Sequence, residues 1–287
     1  MSENVPSEIY TTLKPAALSK KSVVRFALLE RLSRFTPVLA LVVLVLIWHF
    51  TILLFHLPPY VLPKPSGVFG RIFSEKQRLI ENAWPTIQEI LGGFTLSIFV
   101  GIPLAMTIVR SVWIDRMISP ILVASQTIPK VAIAPILLIW FGLGMAPKIL
   151  IAFLIAFFPI VISTTVGLRS VPRELIDLAL SMGASRSQLF LRIRAPYALP
   201  TFFGGLKVAI TLASIGAIVG EFVGASEGLG YLIMVANGRL DTELLFAVVI
   251  VLVVIGVILY WLVELLELVL VKRRQPQVGS EIPIVVL

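Results

Sequence analysis

Long apolar runs broken by short polar stretches set the pattern of this chain. Uncharged runs at Pro37–Pro63, Ile90–Val109, Ile149–Leu168 and Leu244–Val263 reach the roughly 20 apolar residues a helix needs to cross a hydrocarbon core about 30 Å thick. Two more runs are less clean. Ile118–Phe141 carries Lys130 with Pro129 and Pro135, and Thr201–Gly224 carries Lys207 and Glu221. The pattern predicts six membrane-spanning helices. The short alternating segments of a membrane barrel are not what this chain presents.

Between the fourth and fifth runs lies RSVPRELIDLALSMGASRSQLFLRIRAPYALP, residues 169–200. Connections between spans are usually short, and this one carries helix punctuation of its own. Pro172 suits a first helical turn, where its missing N–H costs nothing. Glu174 and Asp177 place negative charge near the positive end of that helix. Leu175, Leu178, Ala179 and Met182 recur at spacings of three and four, a stripe of apolar positions. Gly183 suits a left-handed cap. Ser185 and Gln188 fit a capping box opening a second helix, predicted to run to about Ala195 and to stop at Pro196 and Pro200.

The flanks are simpler. Val24, Leu28, Leu32 and Phe35 fall at helical spacing among Lys21, Arg25 and Arg34, which fits either a basic amphipathic helix in the membrane interface or a plain lead-in helix. Pro- and Gly-rich Leu57–Gly70 reads as an external loop, followed by a helix over Arg71–Leu91. Three regions result: a segment 1–36 on the cytoplasmic side, a membrane domain 37–271 and a tail 272–287.

Composition fits this reading. Of 287 residues 58% are apolar and 14% charged, with mean hydropathy +1.00, which excludes an ordinary soluble domain. The net charge of +8 is distributed by topology rather than clustered for nucleic acid. With the N-terminus inside, sixteen Lys and Arg fall on the cytoplasmic side, six (Lys148 among them) fall outside, and Lys130 and Lys207 fall within spans, accounting for all 24. That bias puts both termini and the 169–200 loop in the cytoplasm. The absence of cysteine removes disulfides and thiolate chemistry. The first apolar run is too long for a cleavable signal and reads as a retained span.

The 169–200 loop resembles the "EAA" loop of ABC importer permeases, in which an acidic residue and two alanines precede a glycine and a proline-ended segment follows. Asp177 stands at the acidic position, Leu178 and Ala179 at the alanines, Gly183 at the glycine, and Leu199 and Pro200 at the terminal Leu-Pro. Asp for Glu and Leu for the first Ala are departures that keep chemical type. Outside the loop, LPKPSGVF (62–69), IPKVAIAPILLIWFGLG (128–144), FFPIVISTTVGLRSV (157–171) and VGEFVGASEGLGYLI (219–233) resemble the nitrate/sulfonate/taurine branch, so the likeness covers most of 60–270. The resemblance implies an all-α membrane protein of the type I ABC importer permease fold, with a cytoplasmic coupling helix docking into a groove on an ATPase subunit. Asp177, Leu178, Ala179, Gly183, Ala184, Arg192, Leu199 and Pro200 would form that coupling loop. Arg186, Arg192 and Arg194 could pair with acidic groups of the partner or with anionic headgroups; the alternative is a solvated loop whose arginines only set topology.

Glu221 is either a gate residue or an interfacial carboxylate paired with a cation, because an ionisable group in a span faces a cavity or a partner. Pro129 and Pro135 should kink or interrupt the third span, as a packing feature or as part of a translocation path with Lys130. Gly204, Gly205, Gly216, Gly220 and Gly224 suit close helix approach at the core of a dimer.

The function implied is the permease subunit of a binding-protein-dependent importer in a bacterial cytoplasmic (inner) membrane. It would pair with a second copy of itself, with two copies of a cytoplasmic ATPase and with an external or periplasmic substrate-binding protein, and would need no cofactor or metal. The sequence has no phosphate-binding G-x-x-x-x-G-K-S/T loop, so it is not itself expected to be the enzyme. A small anion such as nitrate, a sulfonate or taurine is the favoured cargo, with a thiamine-precursor pyrimidine or riboflavin as the alternative. An ion-coupled secondary transporter is the reading from another class; it would need several buried carboxylates, and Glu221 is the one the sequence places well inside a span.

Overall fold

The structure, a computed structural model, describes residues 39–271; the basic segment before it and the tail 272–287 lie outside the described residues. The chain divides into two units, Met1–Pro58 and Pro59–Leu287. Within the first, α1 (Leu39–Phe55) is a short apolar helix. It ends at His56, whose φ of 48° turns the backbone out of the helix.

Among the described residues, the second unit is helical throughout its regular structure. Its elements are α2 (Pro65–Ser74), α3 (Lys76–Arg110), α4 (Val112–Thr127), α5 (Lys130–Phe141), α6 (Met145–Arg169), α7 (Arg173–Ser181), α8 (Arg186–Leu189), α9 (Ala195–Gly224), α10 (Leu229–Gly238) and α11 (Thr242–Val271), with a π-helical turn Phe190–Arg194 joining α8 to α9. Helix α2 begins inside the stretch read from its prolines as loop, and its last turn falls in the predicted helix Arg71–Leu91. Pro65 opens it at the first turn, the position where proline's missing donor is harmless.

Among the described residues, four helical stretches are long and apolar enough to cross a membrane: α3, α6, α8 through α9, and α11. A fifth crossing is available to α4 and α5, which meet at 94°. The break falls at Ile128–Pro129, and Pro129 is the N-cap of α5. Pro135 does not interrupt the chain; α5 runs through it.

A second departure lies at Pro196 and Pro200, which were expected to end the second platform helix. Instead, Arg186–Gly224 forms one continuous stretch. Pro196 falls in the first turn of α9. The preceding π turn shifts the register of backbone donors and acceptors, so the missing N–H at 196 falls where the ladder is already re-set.

Helix α6 is the central post, packed against α9 on one side and α3 on the other. The contact with α9 depends on missing side chains. A Cβ on Gly216 would sit 2.6 Å from the Ala152 Cα, and one on Gly205 would overlap the Ser163 side chain. Gly205, Gly216, Gly220 and Gly224 of α9 thus meet neighbours within the chain, while Gly204 faces open space. Ile90, Ala156, Ile160, Phe203 and Ile210 fill the layer between these helices, with Leu259 and Val263 of α11 closing it. A second apolar cluster gathers Leu79, Leu229, Leu232, Leu244 and Val248, fixing α10 between α3 and α11.

Candidate functional site

Two arrangements carry chemistry, at opposite ends of α6 and α9. The first is the platform leaving α6. Arg169, last residue of α6, reaches 2.9 Å to the Asp115 carboxylate of α4, and Val171 is buried. Pro172 is the N-cap of α7 and Glu174 sits in its first turn. At the other end Gly183, at φ 79°, donates to the Leu180 carbonyl, while the Ala184 amide donates 3.0 Å to the Ala179 carbonyl. These two bonds are the Schellman pair that a left-handed glycine permits. Ser185 accepts from the Gln188 amide at 3.2 Å, and its own amide donates 2.8 Å to the Gln188 side chain, completing the capping box. Four residues, Gly183, Ala184, Ser185 and Gln188, thus set a rigid corner by local chemistry alone.

The stripe on α7 divides in two. Ala179 turns inward at 9% exposure, whereas Leu175, Leu178 (61%) and Met182 (79%) face outward. Asp177, Gly183 and Arg192 are exposed, Ala184 and Leu199 half-buried, and Pro200 exposed in the first turns of α9. A nine-residue helix that exposes Leu175, Leu178 and Leu180, with Met182 bare at its C-cap and Asp177 beside them, is a small knob suited to a complementary groove.

In the broken span, Lys130 opens α5 with its ammonium 4.7 Å from the Phe158 ring centre of α6, a cation held on an aromatic face. Lys207 is paired as well, 2.6 Å from Glu267 of α11.

The second arrangement surrounds Glu221 near the end of α9. It is 1% exposed, and its carboxylate has no lysine as direct partner. Instead the Thr86 hydroxyl donates to Oε1 at 2.6 Å and the Gly230 amide donates to Oε2. Nearby, the Leu229 amide donates 2.9 Å to Thr86 and the Gly228 amide 2.9 Å to the Asn82 side chain. Three successive amides at the start of α10 are therefore held by Asn82, Thr86 and Glu221. A carboxylate at the positive end of a helix is well placed. The geometry needs two glycines: a Cβ at Gly228, at φ 114°, would strike the Glu221 carboxyl, and one at Gly230 would lie 2.7 Å from Oε2.

Beside this cap, Lys148 of α6 reaches 2.6 Å to Glu89 of α3, and both are buried. Two sequence expectations change here. Lys148 was counted with the external loop cations, yet it is 4% exposed inside the bundle. Glu221 was the one carboxylate expected well inside a span, and Glu89 joins it. The missed signal is the spacing of Asn82, Thr86 and Glu89, at i, i+4 and i+7, which lines one face of α3 with polar groups.

Comparison with known proteins bears on both arrangements. Residues 93–270 match the family model described as the binding-protein-dependent transport system inner membrane component. The riboflavin transport system permease protein RibX of Chloroflexus aurantiacus is 42% identical over 81% of this chain and 87% of its own length. The formylaminopyrimidine transport permease protein ThiX of Halalkalibacterium halodurans is 37% identical over 84% of this chain and 96% of its own. The taurine transport system permease protein TauC of Escherichia coli is 28% identical over 76% and 82%. Among solved structures, a chain of the MetNI methionine ABC transporter in an inward-facing conformation shares the fold, with TM-score 0.60 and 19% identity over 71% of this chain and 99% of that one. With a family model spanning more than half its residues and helices to match, this chain belongs to the binding-protein-dependent inner membrane components, the permeases of ABC importers.

Proposed function

We propose that α7 is the coupling helix of this permease and that it docks on a cytoplasmic ATPase subunit. The observation that carries this reading is the pairing of a rigid Gly183–Ser185 corner with exposed Leu175, Leu178 and Met182. A fixed knob transmits displacement, whereas a flexible loop would absorb it. ATP-driven closure of two ATPases would move two such knobs and so switch the bundle between inward- and outward-facing states. In this arrangement α1 is the first of six spans and the α4–α5 pair the third. Both termini and α7 are cytoplasmic, a second copy completes the pathway, and an external binding protein delivers the solute. Pro129, Lys130 and Pro135 lie on the broken span that would flank that pathway.

Between the two cargo classes raised by the sequence, the span lysines favour a neutral heterocycle of the riboflavin or pyrimidine kind. Lys148 is taken up by Glu89 and Lys207 by Glu267, while Lys130 lies on Phe158. An anion would have to compete with those partners. Relatives named for riboflavin and formylaminopyrimidine transport are also more similar to this chain than the one named for taurine. The anion remains the second reading, carried by Lys130, which has an aromatic rather than an acidic partner.

The test is gentle extraction of the tagged protein from native membranes and mass spectrometry of what accompanies it. A stoichiometric subunit with a nucleotide-binding loop supports the importer assembly. A chain that repeatedly purifies alone and transports in vesicles without ATP would overturn it. The cargo is then separated by ATP-dependent uptake of riboflavin, a formylaminopyrimidine and taurine into vesicles holding the co-purified complex and its binding protein.

A further inference from the structure

The sealed space between α3, α6 and α9 holds two carboxyl groups and one ammonium. Glu89 is fully buried, Glu221 is 1% exposed and Lys148 is 4% exposed. With both carboxyls ionised the cluster would carry a net charge of −1 out of reach of water. An uncompensated charge in such a place is strongly unfavourable even after relaxation.

Counting donors leads to the same gap. Lys148 serves Glu89 Oε1, Thr86 serves Glu221 Oε1 and the Gly230 amide serves Glu221 Oε2. The fourth oxygen, Glu89 Oε2, is buried with no donor. The Glu221 carboxyl is the acidic group beside Glu89 in this cluster. Two ionised carboxylates are acceptors only and cannot bond each other; a proton on one of them makes the bond.

Among the described residues, the surroundings supply no other neutralising charge. Helix α3 contributes Asn82 and Thr86 besides Glu89, α6 contributes Lys148, and α10 contributes the amides of Gly228, Leu229 and Gly230. On α11 the nearby carboxylate, Glu243, is turned to Gly67 of α2 instead. Glu227, in the turn before α10, is exposed. We propose that Glu89 and Glu221 bind one proton between them, forming with Lys148 a net-neutral latch that fastens the start of α10 to α3 and α9.

The proton does two things in this arrangement. It gives Glu89 Oε2 its missing bond, and it leaves both Glu221 oxygens free to accept from Thr86 and Gly230. Its loss would set two buried carboxylates against each other at the point where α10 is tied down.

The experiment uses the full chain in lipid nanodiscs, as wild type, Glu89→Gln, Glu221→Gln and, as an exposed control, Glu227→Gln. Infrared spectra are expected to show a deuterium-sensitive carboxylic-acid C=O band at neutral pH in the wild type and in Glu227→Gln. The band should vanish in Glu89→Gln and in Glu221→Gln, because either amide leaves one carboxylate to balance Lys148. The thermal midpoint of the wild type should fall by roughly 3 °C or more as pH rises from neutral to alkaline, while that of Glu89→Gln stays level over the same range. Glu221→Gln should be the less stable variant at every pH, since its amide keeps only one of the two acceptor oxygens that serve Thr86 and the Gly230 amide. A wild-type spectrum without the band overturns the proposal, and this holds even if a variant folds poorly. So does a band that survives in Glu89→Gln, or a midpoint that follows sodium or potassium concentration at fixed pH, which would put a metal cation where the proton is placed.

Discussion

Arg169, at the end of α6, holds Asp115 of α4 at 2.9 Å, and the same carboxylate accepts from Ser119 at 2.6 Å. This joins the helix that enters the platform to the helix that leads into the broken span. Both side chains are partly exposed, and exposed ion pairs contribute little to stability, so the bond matters more for where α4 is held than for how firmly the protein folds. Asp115→Asn and Arg169→Gln are expected to leave thermal unfolding close to wild type but to weaken the dependence of transport on ATP hydrolysis. The exchanged pair Asp115→Arg with Arg169→Asp should recover part of that coupling. ATPase and uptake rates measured together on one reconstituted complex check this, and a double exchange no better than either single change would sink it.

Gly183 makes the second prediction. At φ 79° a left-handed backbone costs a residue with a side chain roughly 1–2 kcal/mol, and nothing lies within 4 Å of its Cβ position, so conformation rather than crowding is the obstacle. Gly183→Asn should be tolerated and Gly183→Val should loosen the α7–α8 corner. Membrane insertion should be normal in both, while ATPase co-purification falls at least several-fold in Gly183→Val. Leu178→Asp and Asp177→Arg should produce the same loss by altering the exposed face instead.

What could be read from the chain, and what could not, follows from the range of the interactions. The Gly183 cap, the Pro172 start and the Ser185–Gln188 box are settled between residues no more than five apart, so they are legible from spacing. The break at Pro129 is legible too, but its 94° angle depends on what α5 packs against, and Pro135 alone does not foretell that it is harmless. Pro196 and Pro200 misled because a π turn, invisible in composition, precedes them. Lys148 reads as a loop cation at the edge of an apolar run; only its partner Glu89, 59 residues away in sequence, makes its burial tolerable. The glycines of α9 announce a close contact but not with whom, and Ala152 of α6 supplies the answer.

That contact yields a third prediction. Gly216 meets the backbone of Ala152 closely enough that any side chain forces the helices apart. Overpacking of this kind costs about 1–3 kcal/mol, at times more. Gly216→Val should lower the thermal midpoint and the yield of folded protein. Gly204→Ala, into open space on the same helix, should be neutral or stabilising by up to about 1 kcal/mol. Fluorescence-detected size exclusion after heating separates the two, and equal behaviour would mean that α6 and α9 do not pack through these residues.

Asp241 carries the last prediction, at the turn between α10 and α11. Its Oδ1 accepts from the Leu244 amide at 3.1 Å, capping α11, and Oδ2 accepts from Arg71 of α2. Partial burial pushes its pKa up, but the Arg71 hydrogen bond, the Leu244 amide and the Arg71 charge outweigh that and hold it below the usual aspartate range. A carboxyl lowered in this way adds stability above its unfolded value, about 3.9, and that contribution fades as pH falls through the lower folded value. Between pH 7 and 5 the wild type and Asp241→Asn should therefore differ by a constant amount, with Asp241→Asn the less stable. Below about pH 4 the difference should shrink, because protonation removes from the wild type the charge that the variant already lacks. Scanning fluorimetry of both proteins across that range reads the difference directly, and a gap that widens in acid would show that Asp241 is held by something other than Arg71 and the α11 amide.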